Sequence, residues 1–153
     1  MKYTLIGSLK VSQICLGCMG FGDASQGMHS WTLPYEDSKK IIFHALESGI
    51  NFFDTAMAYQ SGTSEEYLGR AIKENGHRED VVIATKYTPT SDASIDSRTY
   101  LTECLNNSLR RLQTDYIDLY IMHMWDYQTP IEETLEILND FIKEGKIKEI
   151  GIS

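Results

Sequence analysis

Short apolar runs alternate with longer amphipathic segments along the whole chain, and any fold must satisfy that alternation. The runs are Ile50-Asn51-Phe52-Phe53, Val81-Val82-Ile83-Ala84-Thr85 and Tyr116-Ile117-Asp118-Leu119-Tyr120-Ile121-Met122. Each is nearly continuous in apolar residues, as strands are when helices cover a parallel sheet. Strand–helix alternation implies right-handed crossovers, and so a doubly wound sheet or a barrel. The glycines of Gly17-Cys18-Met19-Gly20-Phe21-Gly22 do not have the register of a dinucleotide fingerprint between a strand and a helix. That favours the barrel.

The remaining elements follow from local signals. Residues 3–6 and 9–12 flank Gly7-Ser8 as a short hairpin. A first core strand is predicted over about Gln13–Gly17, followed by a Gly-rich, aromatic stretch from Gly17 to Leu33. That stretch is too long for a routine connection, and long loops often carry function. The first helix is predicted over Tyr35–Ser48, with Pro34 near its first turn, Gly49 past its end, and Ile41, Ile42, Ala45 and Leu46 as its buried stripe.

A second helix, Ser64–Asn75, is expected to open with a capping box, Thr63-x-x-Glu66, and to close at Gly76. It turns Tyr67, Leu68, Ala71 and Ile72 inward. The third, Ser97–Leu112, carries Tyr100, Leu101, Cys104, Leu105, Leu109 and Leu112 on one side. The fourth, Pro130–Glu144, has Thr129 as its expected cap, Pro130 at N1 and Leu135, Leu138, Phe141 and Ile142 as its packing face. A last strand covers Ile147–Ile152.

Four polar residues stand at the ends of these runs. Asp54 ends the first, Lys86 the second and His123 the third, while Tyr59 lies a short loop beyond Asp54. A β/α repeat delivers such residues to one end of successive strands, which in barrels is the active face. A phenol is a poor base at neutral pH but a usable acid, and a nearby ammonium makes it a better proton donor. Lys86 fits that part if a carboxylate, Asp54, holds it, and His123 can orient a substrate oxygen. Together they would protonate a carbonyl oxygen as hydride reaches its carbon. No side chain donates hydride, so a nicotinamide cofactor is implied. Taken singly, each has a structural reading: a turn cap for Asp54, a snorkelling lysine, a satisfied histidine, a packing tyrosine.

Composition excludes other classes. With 153 residues, 42% hydrophobic and 24% charged, the chain has the makings of one globular domain. A net charge of -8 without a Lys/Arg cluster argues against nucleic acid. No run reaches the ~20 apolar residues of a membrane helix, and the N-terminus lacks a signal-like stretch, so no membrane role is expected and the cytoplasm is the expected location. Cys15-Leu16-Gly17-Cys18 has redox spacing, but it ends a strand and no second pair or H-x-x-x-H completes a metal site. Buried thiols at a strand end are the expectation.

The residues that carry this placement also resemble a family. Asn51-Phe52-Phe53-Asp54-Thr55-Ala56-x-x-Tyr59 and Gly62-x-Ser64-Glu65-Glu66-x-Leu68-Gly69-Arg70-Ala71 are similar to the aldo-keto reductase signature. Ile83-Ala84-Thr85-Lys86, Ser108-Leu109-x-Arg111-Leu112-x-Thr114-Asp115-Tyr116-x-Asp118-Leu119 and Ile121-x-His123 continue it in order. Glu144-Gly145-Lys146-Ile147-x-x-Ile150-Gly151-x-Ser153 resembles its fifth-strand entry, and the stretch from Gly20 to Trp31, with Trp125-Asp126-Tyr127, looks like one bacterial subfamily. The sequence departs at Gln60, where a glycine usually follows the tyrosine.

The resemblance implies a (β/α)8 TIM barrel that reduces carbonyl compounds with NADPH and needs no metal. Residues 1–153 would be a single domain, an N-terminal half-barrel of about four βα units and a fifth strand behind a β-hairpin, with the C-terminal half absent. It implies Tyr59 as proton donor, Lys86 as its activator, Asp54 as the anchor of Lys86 and a neighbour of the cofactor ribose, and His123 as orienter. Gly17, Cys18, Met19 and Ser153 match cofactor-binding positions. Trp31, Met124 and Trp125 match substrate-pocket positions, with core packing equally open for Met124. The exposed strand edges of a half-barrel offer a route to a homo-oligomer. A rival expectation is therefore a catalytically silent half-barrel acting as an oligomerising or regulatory module.

Overall fold

The computed structural model describes residues 1–90, 92 and 94–153. An antiparallel hairpin comes first, β1 (Tyr3–Ile6) and β2 (Leu9–Ser12), with Ile6 opposite Leu9 across the Gly7-Ser8 turn. Five strands then form one parallel sheet: β3 (Cys15–Gly17), β4 (Phe52–Asp54), β5 (Val82–Tyr87), β6 (Ile117–Met122) and β7 (Ile147–Ile152). Between them lie α1 (Tyr35–Glu47), α2 (Thr63–Asn75), α3 (Ser97–Leu112) and α4 (Ile131–Lys143). The strand order in space is the order in sequence.

An order that never reverses decides between the two candidate folds. A doubly wound sheet changes direction at a switch point and so has helices on both faces. Here Ile42 of α1, Leu68 of α2, Leu105 of α3 and Leu138 of α4 all share one core with Phe53, Ile83 and Tyr120 of the strands. The helices therefore cover one face. Alternate strand residues, Phe52, Val82, Ala84, Leu119 and Ile121, turn to the other face and pack with Leu9 and Val11 of the hairpin. The chain is the N-terminal half of a (β/α)8 barrel, with the hairpin laid across its interior at the amino ends of the strands.

Polar contacts fix the hairpin there. The Ser8 N–H donates to Glu149 Oε1 on β7 at 2.8 Å, and the Ser12 N–H donates to Asn51 Oδ1 at 2.7 Å. Two buried carboxylates tie the elements together. Asp118 on β6 accepts from Arg78 Nη2 and Lys148 Nζ, each at 2.7 Å, and from the Ile83 N–H at 3.0 Å. Glu65 on α2 accepts from Thr85 Oγ1 and from Arg111 Nε, each at 2.6 Å. Buried charges without such partners would cost several kcal/mol each.

Several local expectations need correction. The first core strand is Cys15–Gly17, shorter than Gln13–Gly17, because the Gln13 N–H is taken by the Lys2 carbonyl. Cys15 is exposed, so only Cys18 and not both thiols of the pair is buried. Ile41 and Leu135 lie on the shoulders of their helices and are exposed; the face of α4 is Thr134, Ile137, Leu138 and Phe141.

No capping box opens α2. Its N-cap is Gly62, and the Thr63 hydroxyl instead accepts from the Asp23 N–H and donates to the Gln60 carbonyl. Nor does Thr129 cap α4, whose N-cap is Pro130 without a side-chain bond; the Thr129 N–H donates to Asp126 Oδ1. By contrast, Asp96 caps α3 by accepting from the Thr99 N–H at 2.8 Å.

The crossing of α2 over α3 depends on a missing side chain. A Cβ at Gly69 would stand 2.4 Å from the carbonyl of Leu112, a backbone atom that cannot swing away. Gly69→Ala is therefore expected to destabilise the fold by about 1–3 kcal/mol through overpacking. Urea unfolding of both forms measures it, and an unchanged midpoint would contradict the close approach.

Candidate active site

Parallel register sets the geometry. Gly17 pairs with Asp54, Asp54 pairs with Ala84, and Lys86 pairs with Ile121, so the carboxyl ends of β3 to β6 lie side by side. Asp54 and Lys86 have the parity of Phe52, Val82 and Ala84, so both side chains face the barrel interior. The loops leave along the same rim. The Met57 N–H donates to the Lys86 carbonyl at 3.0 Å, and the His123 N–H to the Tyr87 carbonyl at 2.9 Å.

Lys86 is the hub. Its side chain is only 9% exposed, which forces its ammonium to find acceptors inside the protein. Nζ donates to Asp54 Oδ1 at 2.6 Å and to the Thr55 carbonyl at 2.8 Å. It lies 3.3 Å from the Tyr59 hydroxyl. The ring of His123 meets that of Tyr59 edge-on, with centroids 5.8 Å apart. Asp54, Lys86 and His123 from three strand ends and Tyr59 from a loop thus gather at one rim, converging around Lys86 and the Tyr59 ring.

His123 carries the shifted titration of this group. Burial, and then the Lys86 ammonium, push its imidazole below the ordinary histidine range, against the upward pull of the Asp54 carboxylate. A neutral imidazole at neutral pH can donate one hydrogen bond to a bound oxygen while adding no charge.

The cleft beside Tyr59 has a volume of about 140 Å³ and is lined by Met19, Met28, His29, Ala58, Tyr59, Gln60 and His123. Met19 lines it, partly exposed beyond the end of β3. Gly17 ends β3 beside Asp54, and nothing beyond its chain neighbours lies within 4 Å of where its Cβ would be. Cys18 is fully buried, its N–H donating to the Asp54 carbonyl and its carbonyl accepting from Ser64 Oγ. Ser153 follows β7, its N–H donating to the Met122 carbonyl. Trp31 tilts against His29 with centroids 4.8 Å apart, outside the cleft lining. Met124 and Trp125 are exposed past the end of β6 and do not line the cleft either.

A hollow of about 200 Å³ lies between the β5–α3 and β6–α4 loops, lined in part by Tyr87, Asp126 and Glu133, and it contains none of the four converging residues. Tyr59 and His123 line the smaller cleft instead. At the strand end nearby, Cys15 does not behave as a reactive thiol. Desolvation, followed by the Asp54 carboxylate, pushes its thiol up to about 11, and Cys18 is raised further. Reactive thiols are shifted the other way.

A supporting set of hydroxyls escaped the sequence reading. Thr55 Oγ1 and Ser64 Oγ lie 2.9 Å apart, and Ser64 Oγ donates to the Cys18 carbonyl at 2.7 Å. These fully buried groups join the ends of β3 and β4 to the start of α2. A threonine directly after Asp54 and a serine at a helix start were the available signals, but both types are also common in turns.

The aldo/keto reductase family model matches residues 13–153. Aldo-keto reductase YhdN of Bacillus subtilis (strain 168) is 41% identical over 159 residues, which span 100% of this chain and 47% of that protein. An aryl-alcohol dehydrogenase [NADP(+)] of Phanerodontia chrysosporium is 36% identical over 158 residues, covering 95% of this chain and 41% of its own length. Among solved structures, the holo form of aldo-keto reductase AKR11C1 from Bacillus halodurans superimposes with a TM-score of 0.82 at 37% identity, over 100% of this chain and 50% of that one. The chain thus spans no more than about half the length of these relatives.

The shift of His123 is directly measurable. Its folded value lies below its unfolded one, so between the two the unfolded chain binds the extra proton. The associated stability is complete above about pH 6.5 and declines as pH falls below it. An NMR titration of the His123 ring should give a midpoint below about 6.5, moving upward in Lys86→Met as the cation is removed. A midpoint at or above the ordinary value in the unmodified chain would contradict the arrangement.

Proposed function

The chain belongs to the aldo/keto reductase family, and we propose that the protein reduces aldehydes and ketones to alcohols with NADPH, Tyr59 acting as the proton donor. The observation that carries this reading is the position of Lys86 Nζ, within hydrogen-bonding distance of both Asp54 Oδ1 and the Tyr59 hydroxyl. A phenol positioned beside a bound carbonyl oxygen can act as the general acid, and the ammonium stands next to its hydroxyl.

The strand ends also suit a nicotinamide. Among the described residues nothing beyond its chain neighbours stands within 4 Å of a Cβ at Gly17, which pairs with Asp54, and Met19 lines the adjacent cleft. Gly17, Met19, Asp54 and Ser153 would hold that end of the cofactor, with the buried Cys18 packed behind them. The name of the Phanerodontia chrysosporium relative specifies NADP(+), and the Bacillus halodurans structure is a holo form, which supports a nicotinamide here. When bound, that group supplies the hydride.

The residues of this chain supply the rest. The carbonyl oxygen lies in the cleft between Tyr59 and His123, whose imidazole donates a hydrogen bond that orients it. As the carbonyl carbon gains hydride, the Tyr59 hydroxyl transfers its proton to the oxygen, so one alcohol forms and the phenolate is left facing Lys86. Asp54 holds Lys86 in place throughout. Small-molecule carbonyl compounds are the substrate class.

Tyr59→Phe removes the proton while preserving the ring. It is expected to lower kcat/KM for a carbonyl substrate by about 10²- to 10⁴-fold, the usual contribution of a positioned acid. Carbonyl-dependent NADPH oxidation measures this, and an undiminished rate in the variant would remove Tyr59 from the role.

A further inference from the structure

Gln60 directly follows Tyr59. It is a polar side chain only 1% exposed, and its backbone is left-handed, with φ 48° and ψ 47°. A buried amide in that conformation needs compensation, and the loop from Gly20 to Thr32 supplies it. Gln60 Nε2 donates to the carbonyls of Asp23 at 3.0 Å and His29 at 2.8 Å, and also to that of Gln26. Its Oε1 accepts from the His29 N–H at 2.9 Å. With two hydrogens on Nε2, three carbonyls imply a shared bond.

The loop is also shaped around this side chain. A Cβ at Gly27, where φ is +72°, would fall 2.7 Å from Gln60 Cα. The loop can close over Gln60 only with a glycine there. The N–H and C=O of His29 are both gripped by one amide, as a strand neighbour would grip them. His29 and Met28 line the Tyr59 cleft. Its volume of about 140 Å³ is near the roughly 150 Å³ that accommodates a benzene ring.

We propose that Gln60 is a positioning residue for substrate selection: its amide latches the Gly20–Thr32 loop, so that Met28 and His29 wall the cleft beside the Tyr59 phenol. A carbonyl compound bearing one ring-sized apolar group gains from that wall; a two- or three-carbon aldehyde does not reach it. The selection part rests on the reductase reading above, whereas the latch itself does not.

Two variants test both parts. Gln60→Glu keeps the shape and removes the donors. Gln60→Asn keeps the amide and tolerates the left-handed backbone, but is one methylene short. Hydrogen exchange of residues 23–33 should quicken about tenfold or more in each, with residues 82–87 unchanged. With saturating NADPH, KM for benzaldehyde should rise about tenfold more than KM for propanal, the pattern of binding lost by the larger substrate.

Unchanged loop exchange in both variants would overturn the latch. Constants for the two aldehydes moving together would overturn the selection. If the unmodified protein reduces neither aldehyde, the reductase reading falls and the selection with it, and the exchange measurement still decides the latch.

Discussion

A lysine ammonium buried at the carboxyl ends of a parallel sheet cannot stand alone, and much of this molecule is arranged to satisfy Lys86. Its side chain is 9% exposed, and the partners come from the neighbouring strand: Asp54 Oδ1 and the Thr55 carbonyl. Those two residues are held in turn. Asp54 is the last residue of β4, with its carbonyl accepting from the Cys18 N–H, and the Thr55 N–H donates to the Ala84 carbonyl. The Thr55 and Ser64 hydroxyls connect that point to α2 and to the end of β3. Moving one strand relative to the next would leave the ammonium short of acceptors.

The same constraint places Tyr59. After Asp54 the chain turns back over the rim, the Met57 N–H bonded to the Lys86 carbonyl, and brings the phenol to the remaining side of the ammonium. Three consecutive residues then take left-handed conformations, Gln60, Ser61 and Gly62, before α2 begins. That sharp turn is stabilised from outside by the long loop after β3. Gln60, directly after Tyr59, and Thr63 therefore join this turn to the loop that lines the cleft.

Much of this was legible in the sequence, and the reasons differ by element. Apolar continuity in Val81–Thr85 and Tyr116–Met122 marked the strands because helices cover one face and the hairpin covers much of the other. Their ends pointed to Asp54, Lys86 and His123 because a β/α repeat brings all such ends to one rim. What failed were features decided by tertiary competition for a single group. The Thr63 hydroxyl looked free to cap α2, but the distant Asp23 N–H claims it.

Likewise Thr129 resembled a cap, yet Asp126 organises that turn. Trp31 and Trp125, matched to pocket positions by the resemblance, stand outside the lining of this cleft, which Met28 and His29 share on a loop bonded to Gln60. No periodicity or spacing encodes a side chain reaching back across thirty-one residues to hold a backbone.

The account stands on Asp54 and Lys86 acting as one unit rather than as two polar residues near a sheet end. A double-mutant cycle with Asp54→Asn, Lys86→Met and the pair, read by urea unfolding at neutral pH, tests this most directly. The account predicts a coupling free energy of about 1–3 kcal/mol, with the double variant losing less than the sum of the single losses. Additivity within about 0.5 kcal/mol would mean that the two groups are independent, and the arrangement around Tyr59 would lose its foundation.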